Sequence, residues 1–243
     1  MKLIDVIKSE LIKLKRSYIF IPMLVLPIIS IIIGDANFYL NQDILTKEWY
    51  SLWTQVGLFY GDFFYPVTIG ICAACLCRME YTNKNWSKIF SVPLKYTDVI
   101  ISKLIVLAII TFIIHCLLFL LYFISGKFIG FTGAFPSEAL GWFIRGYIVS
   151  VSIGTIQLFL SIKYKSFAVP IGVGFVLCFI GLFLYVNNLG MYFPHSLLII
   201  GLGAIKRDSL SLVNNILFIV SNIFFIIVFL KLCIFAIKKE IIR

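Results

Sequence analysis

The sequence predicts an all-α polytopic membrane protein: six transmembrane helices, an N-terminal amphipathic interfacial helix, and a short outer helix between spans five and six. Three observations carry this reading. Hydrophobic residues fill 61% of the 243 positions and charged residues only 13%, whereas a soluble domain is about half apolar and about a quarter charged. Mean hydropathy is +1.05. Lysine and arginine, finally, gather in the segments that would face one side of a bilayer. Six spans of about 20 residues use roughly half the chain. Residues 1–243 therefore read as a single transmembrane domain, with no room for a second folded unit. A soluble helical protein is excluded, because it could not bury so many long uncharged runs.

The elements follow in order. In residues 1–16, Leu3, Ile4, Ile7, Leu11 and Leu14 recur at helical spacing, with Lys2, Asp5, Lys8, Lys13, Lys15 and Arg16 on the other faces. This is a basic amphipathic helix suited to the membrane surface; a charged flank that fixes orientation is the alternative. The first span, Ser17–Gly34, is too long for a signal-peptide core and reads as an uncleaved anchor. A polar outer loop with Asp35, Asp43, Lys47 and Glu48 leads to span two at Val56–Cys77. A cytoplasmic segment, residues 78–98, precedes span three at Val99–Ser125. Span four covers Ala139–Ile162 and forms a tight hairpin with span five, Phe167–Val186. Span six covers Val213–Phe235, before a basic tail. In the 187–212 loop, Ser196–Ile205 is apolar but half a bilayer long, which predicts a re-entrant or interfacial outer helix.

The net charge of +10 would suit nucleic acid, but its distribution points elsewhere. In this topology sixteen of the 21 Lys and Arg lie on the inner side with five of the eleven acids, and the outer side is left slightly negative. That asymmetry is the positive-inside signature, and it places both termini in the cytoplasm and the chain in the plasma membrane. No nucleic-acid partner is implied. The six cysteines lie in or beside apolar runs, where a thiol acts as a small hydrophobe; Cys72-x-x-Cys75 has no second pair to complete a metal site.

No phosphate-binding loop, zinc-protease helix or nucleophile elbow is present, and two histidines give little scope for general-base chemistry. The chain reads as a non-enzyme without a cofactor of its own, whose energy comes from a gradient or a partner. The longest inner segment, Arg78–Lys103, is the informative one. Trp86, Ile89 and Phe90 fall at i, i+3 and i+4, Asn83 or Asn85 can cap the helix, and Pro93 ends it. Two readings stand: a short helix that docks in a partner's groove, or an aromatic belt at the lipid interface.

An amphipathic lead helix, two spans, Glu80, an aromatic-bearing helix, Ser91-Val-Pro93, a basic residue and Lys103 together resemble the permease subunits of type 2 ABC exporters. The resemblance covers nearly the whole chain, and in size and character it is strongest to the lantibiotic-immunity permeases. The glycine often found before the coupling helix is replaced by Asn83 or Asn85. The resemblance implies that Glu80, Asn85, Trp86, Lys88, Ile89 and Phe90 couple the chain to a cytoplasmic ABC ATPase dimer that binds ATP and Mg, with a second permease subunit beside it. It also implies a cationic antimicrobial peptide as cargo. The other functional classes are a gradient-driven transporter or channel, and a membrane assembly or sensory subunit without transport.

Polar groups inside spans are costly in hydrocarbon and often functional. Gly57 and Gly61 form a small-residue face beside Asp62, which suggests a permease dimer interface lined by span two. Asp62 is open to two roles: contact with a cationic substrate, or an ion pair with Arg145 at a similar depth. His115, Gln157 and Asn222 are expected to hydrogen-bond between helices. Pro66 and Pro170 are expected to kink their helices.

Overall fold

The computed structural model describes residues 3–14, 17–81, 94–205 and 210–241. Among them there is no strand, and six helices are long and apolar enough to cross a bilayer. They follow α1 (Leu3–Leu14). Span one is α2 (Phe20–Leu40). Span two is α3 (Glu48–Phe59), a π-turn (Tyr60–Phe64) and α4 (Tyr65–Tyr81). Span three is α5 (Tyr96–Ile129), span four α6 (Ala139–Lys163) and span five α7 (Ala168–Val186). A 3-10 turn (Gly190–Tyr192) and the short α8 (Pro194–Leu202) precede span six, α9 (Leu212–Ile241).

Each predicted span is found, and the differences lie at the ends. Span two begins at Glu48 instead of Val56, because Trp49, Leu52 and Trp53 are buried inside the bundle rather than set in a polar loop. Span one runs on past Gly34 to Leu40 and carries Asp35, whose carboxylate accepts a hydrogen bond from Ser125 Oγ of span three at 2.5 Å. Span three has 34 residues, about 51 Å at the helical rise, so both ends project beyond a hydrocarbon layer of about 30 Å.

Pro66 does more than kink span two. Its ring would clash with the carbonyl of Asp62, four residues back. One extra residue in the turn relieves that clash: Tyr65 N–H donates to Tyr60 O, five residues back, and the helix continues from there. The carbonyls of Gly61 and Asp62 thereby lose their i+4 donors, the first to Tyr60 and the second to a proline that has no N–H.

Spans two and four are the centre of the bundle: 61% of the most apolar window of each is buried, against 22% for spans five and six. Lipid is as apolar as leucine, so packing and hydrogen bonds, rather than the hydrophobic effect, must hold the helices together. Trp53 shows how. It stacks on Trp142 of span four with ring centroids 5.1 Å apart and packs against Phe119 and Tyr122 of span three, while its indole N–H donates to Leu202 O of α8 at 2.8 Å. Outward faces are apolar, with Leu24, Ile28 and Ile32 on span one and Ile216, Val220 and Ile223 on span six exposed.

The two remaining helices sit at opposite ends. In α1, Ile4, Leu11 and Ile12 are exposed, while Val6, Glu10 and Leu14 face the bundle. The apolar stripe read from the sequence is thus divided: Ile4 and Leu11 face outward, Ile7 and Leu14 pack against the bundle, and a glutamate lies on the buried side. At the other end, α8 spans nine residues and is buried on nearly every face. Gly203 ends it in the left-handed region at φ +59°, a conformation that glycine adopts without penalty.

Candidate coupling site and polar core

At the α1 end, four charged side chains from three elements meet. Lys103 of span three has no exposed side-chain surface. Its Nζ donates to Glu10 Oε2 of α1 at 2.8 Å, to Glu80 Oε1 of span two at 2.9 Å, and to Leu76 O at 3.2 Å. Lys13 Nζ donates to Glu10 Oε1 at 2.7 Å and to the same Glu80 Oε1 at 2.6 Å. Two ammonium groups against two carboxylates bring the cluster to zero net charge. A buried ion needs that, since an isolated one loses far more hydration than packing can return.

The cluster's position matters as much as its chemistry. Glu80 is one residue from the end of α4, and Lys103 lies on the second turn of α5. Together they bracket residues 82–93 in the sequence. Two more contacts hold the same rim: Tyr81 Oη donates to Ile162 O of span four, and Arg78 stands 5.2 Å above the Phe167 ring. Glu80 Oε2 is buried and has no hydrogen-bond partner among the described residues. Of the predicted coupling residues, Glu80 is therefore placed in a charge-neutral clamp with α1. Asn85, Trp86, Lys88, Ile89 and Phe90 lie outside the described residues.

The other predicted site residues are arranged differently from expectation. Gly57 and Gly61 are covered by their own chain. A Cβ on Gly57 would lie 2.9 Å from that of Ala204, and one on Gly61 would lie 2.7 Å from Leu202 Cδ1. Their small size admits α8 and its cap instead of leaving a face for a second subunit. Asp62 and Arg145 do not pair. Arg145 Nε donates to Gly201 O at 3.1 Å, so the guanidinium sits on the carbonyl end of α8, where the helix dipole favours a cation. Trp53 caps the next carbonyl. Sequence spacing could not foresee this, because the acceptors are backbone atoms of a helix 56 residues away.

In the middle of the bundle, His115 Nε2 lies 3.2 Å from Phe143 O and Nδ1 lies 3.0 Å from Tyr60 Oη. A carbonyl can only accept, so Nε2 carries the proton and Nδ1 accepts from the tyrosine. Tyr65 Oη donates to Thr111 O at 3.0 Å, and its ring stacks on Tyr60 at 4.7 Å. Asn222 accepts from Ser152 Oγ at 2.6 Å. His115 and Asn222 thus link helices as expected. Gln157 departs from expectation: both of its amide atoms are buried without a partner. His195, at the start of α8, is also buried without a partner, and burial pushes its pKa down to about 3, which keeps the imidazole neutral.

Asp62 lies on the π-turn and is buried. The next residue, Phe63, meets Phe179 and Phe175 of span five at 5.4 and 6.2 Å, and those two rings are about half exposed on the outer surface of the bundle.

The family model described as ABC-2 family transporter protein matches residues 6–181, a stretch that includes Glu10, Lys13, Glu80 and Lys103. No curated protein matches the sequence.

Proposed function

The chain belongs to the ABC-2 family of transporter proteins, and from that premise we propose that it is the permease of an ATP-driven exporter that clears cationic antimicrobial peptides, lantibiotics among them, from the membrane. It is a multi-pass membrane protein of a family that works with an ATPase subunit. In this reading the chain holds no nucleotide, and the ATPase partner binds ATP and Mg. The α1 end faces the cytoplasm, as the excess of Lys and Arg there supports. A second permease subunit, identical or related, completes the membrane part.

The observation that carries the proposal is the Glu10–Lys13–Glu80–Lys103 clamp. A segment that receives force from an ATPase must pass it to the membrane helices without yielding. Here both roots of residues 82–93 and the surface helix α1 are tied by four short ion pairs into one body. Movement of the segment between those roots is then movement of spans two and three together.

The cargo class rests on a second feature. A carboxylate on an interrupted helix, with the Phe63–Phe175–Phe179 rings open to the lipid beside it, suits an amphiphile with a cationic head, which the acid attracts and aromatic faces tolerate. The test is ATP hydrolysis by the complex of this chain with its ATPase in proteoliposomes. Lantibiotic should stimulate it, and Asp62→Asn should remove the stimulation while leaving basal hydrolysis. Stimulation by no cationic peptide overturns the cargo; copurification with no ATPase overturns the permease assignment in favour of an assembly or sensory subunit.

A further inference from the structure

Polar side chains line the seam where spans two, four and five meet, and two of them, Gln157 and Ser161, are buried with no hydrogen-bond partner among the described residues. Asp62 of span two is 6% exposed; Gln157 and Ser161 of span four are fully and almost fully buried. Buried polar groups in proteins are nearly always bonded, and in hydrocarbon the penalty for leaving one bare is larger than in a soluble core. One such group would be a local defect. Two within one turn of each other, in line with a buried carboxylate on the π-turn, form a row of polar stations.

The geometry sets their order. Phe63, beside Asp62, packs against Phe175 and Phe179 of span five, which sets the π-turn at the level of Cys178, and Cys178 Sγ donates to Gly174 O one turn along. Gly174 is where Gln157 arrives: a Cβ there would fall 2.0 Å from Gln157 Nε2, and one on Gly70 of span two would fall 3.3 Å from Gln157 Cδ. Two glycines therefore make the space in which the amide lies. Ser161 follows one turn on, two residues from the end of span four at Lys163. Its hydroxyl does not fall back on the carbonyl of its own helix, the usual resort of a serine in an apolar setting. One helical turn is about 5.4 Å, the span of one water molecule with two hydrogen bonds of about 2.8 Å.

We propose that this seam is a water-lined path by which the Asp62 carboxyl exchanges its proton with solvent at the α1 end. The proton arrives from hydronium, passes Ser161 and Gln157 through bound water, and protonates the carboxylate; the reverse step returns it. No other reactant is required. Arg145, the cation beside α8, is turned onto the Gly201 carbonyl, and the other charged groups lie farther off. Asp35 and Glu48 lie toward the far end, Arg78 and Glu80 are four or more turns along span two, and His195 is sealed against Gly181 and Phe193. Tyr60 and Tyr65 are engaged with His115 and Thr111. Cys178 is the titratable neighbour that remains. The path concerns water and its proton, and it stands whatever the cargo is.

The test is infrared spectroscopy of the full chain in lipid nanodiscs. The Asp62 carboxyl band, assigned by its loss in Asp62→Asn or its displacement in Asp62→Glu, should shift in D2O within seconds. Gln157→Met, which keeps volume but removes a hydrogen-bonding station, should slow the shift about tenfold. Ser161→Cys should be modified by a membrane-impermeant thiol reagent supplied from the α1 side only. A carboxyl band unchanged after hours in D2O, an unaltered rate in Gln157→Met, or an inert Ser161→Cys overturns the proposal. The cysteine measurement needs neither Asp62 variant, so it decides the matter if those fail to insert.

Discussion

Lys103 Nζ lies 2.8 Å from Glu10 Oε2 although 93 residues separate the two in the chain. The contact sets α1 against the base of span three and buries an ammonium completely. Removing one partner strands the other charges in a poor solvent. Lys103→Met should therefore destabilise the protein by about 3–5 kcal/mol, read as a fall in the apparent melting temperature of the purified chain in detergent. Glu10→Gln combined with Lys103→Met leaves Lys13 and Glu80 as a neutral pair and should recover at least half of the loss. Equal damage in the single and double variants would show that the four groups do not act as a unit.

The end of α8 gives a second expectation. Trp53→Phe keeps most of the ring stack on Trp142 but withdraws the donor to Leu202 O, at a cost of about 0.5–1.5 kcal/mol. Arg145→Met withdraws a charged donor from Gly201 O and should cost about 1.5–3 kcal/mol. Both should appear locally, as faster amide exchange in residues 194–205 and unchanged protection in spans two and three.

Two glycines on one helix should respond in opposite ways. Gly174→Ala drives a methyl into Gln157 and should destabilise by about 1–3 kcal/mol, the usual cost of overpacking. A Cβ on Gly172 meets nothing within 4 Å, and Gly172→Ala should lie within about 0.5 kcal/mol of the parent. Thermal denaturation of the two variants side by side checks this.

The aromatic face that the sequence predicts for residues 86–90 supplies the fourth expectation. Trp86→Glu should abolish peptide-stimulated ATP hydrolysis, or release the ATPase in pull-down, while the chain still inserts and keeps its melting temperature. Full stimulated activity in this variant would remove the docking role from residues 86–90.

How far the sequence carries the structure can be judged from particular residues. Hydropathy locates every span, since only helices satisfy their backbone in lipid, and the half-length run before span six announces α8. Span two is harder. Its first two turns hold Glu48, Tyr50, Ser51 and Thr54 among the aromatics, and such a mixture reads as loop until spans three and four are present to bury Trp49 and Trp53. Glu80 and Lys103 stand out as charges at helix ends, but nothing in their spacing reveals Glu10. The apolar stripe of α1 is split between the bundle, which takes Ile7 and Leu14, and the outside, where Ile4 and Leu11 lie; periodicity alone cannot tell a lipid from a protein neighbour. Arg145 is open to an acid partner in the sequence and meets the Gly201 carbonyl in the fold; an acceptor that every residue possesses leaves no mark in a sequence.

The extra residue that Pro66 forces into span two also fixes a phase. Each residue turns an α-helix by about 100°, so the half of the span beyond the π-turn faces a direction that a regular helix would not give it. Deleting one residue between 60 and 64 would keep composition and length nearly intact and yet swing Trp53 a quarter-circle or more away from Leu202. The far half of this span is aimed, in effect, by a single inserted residue, and a one-codon loss there should do more harm than most point changes in the same turn.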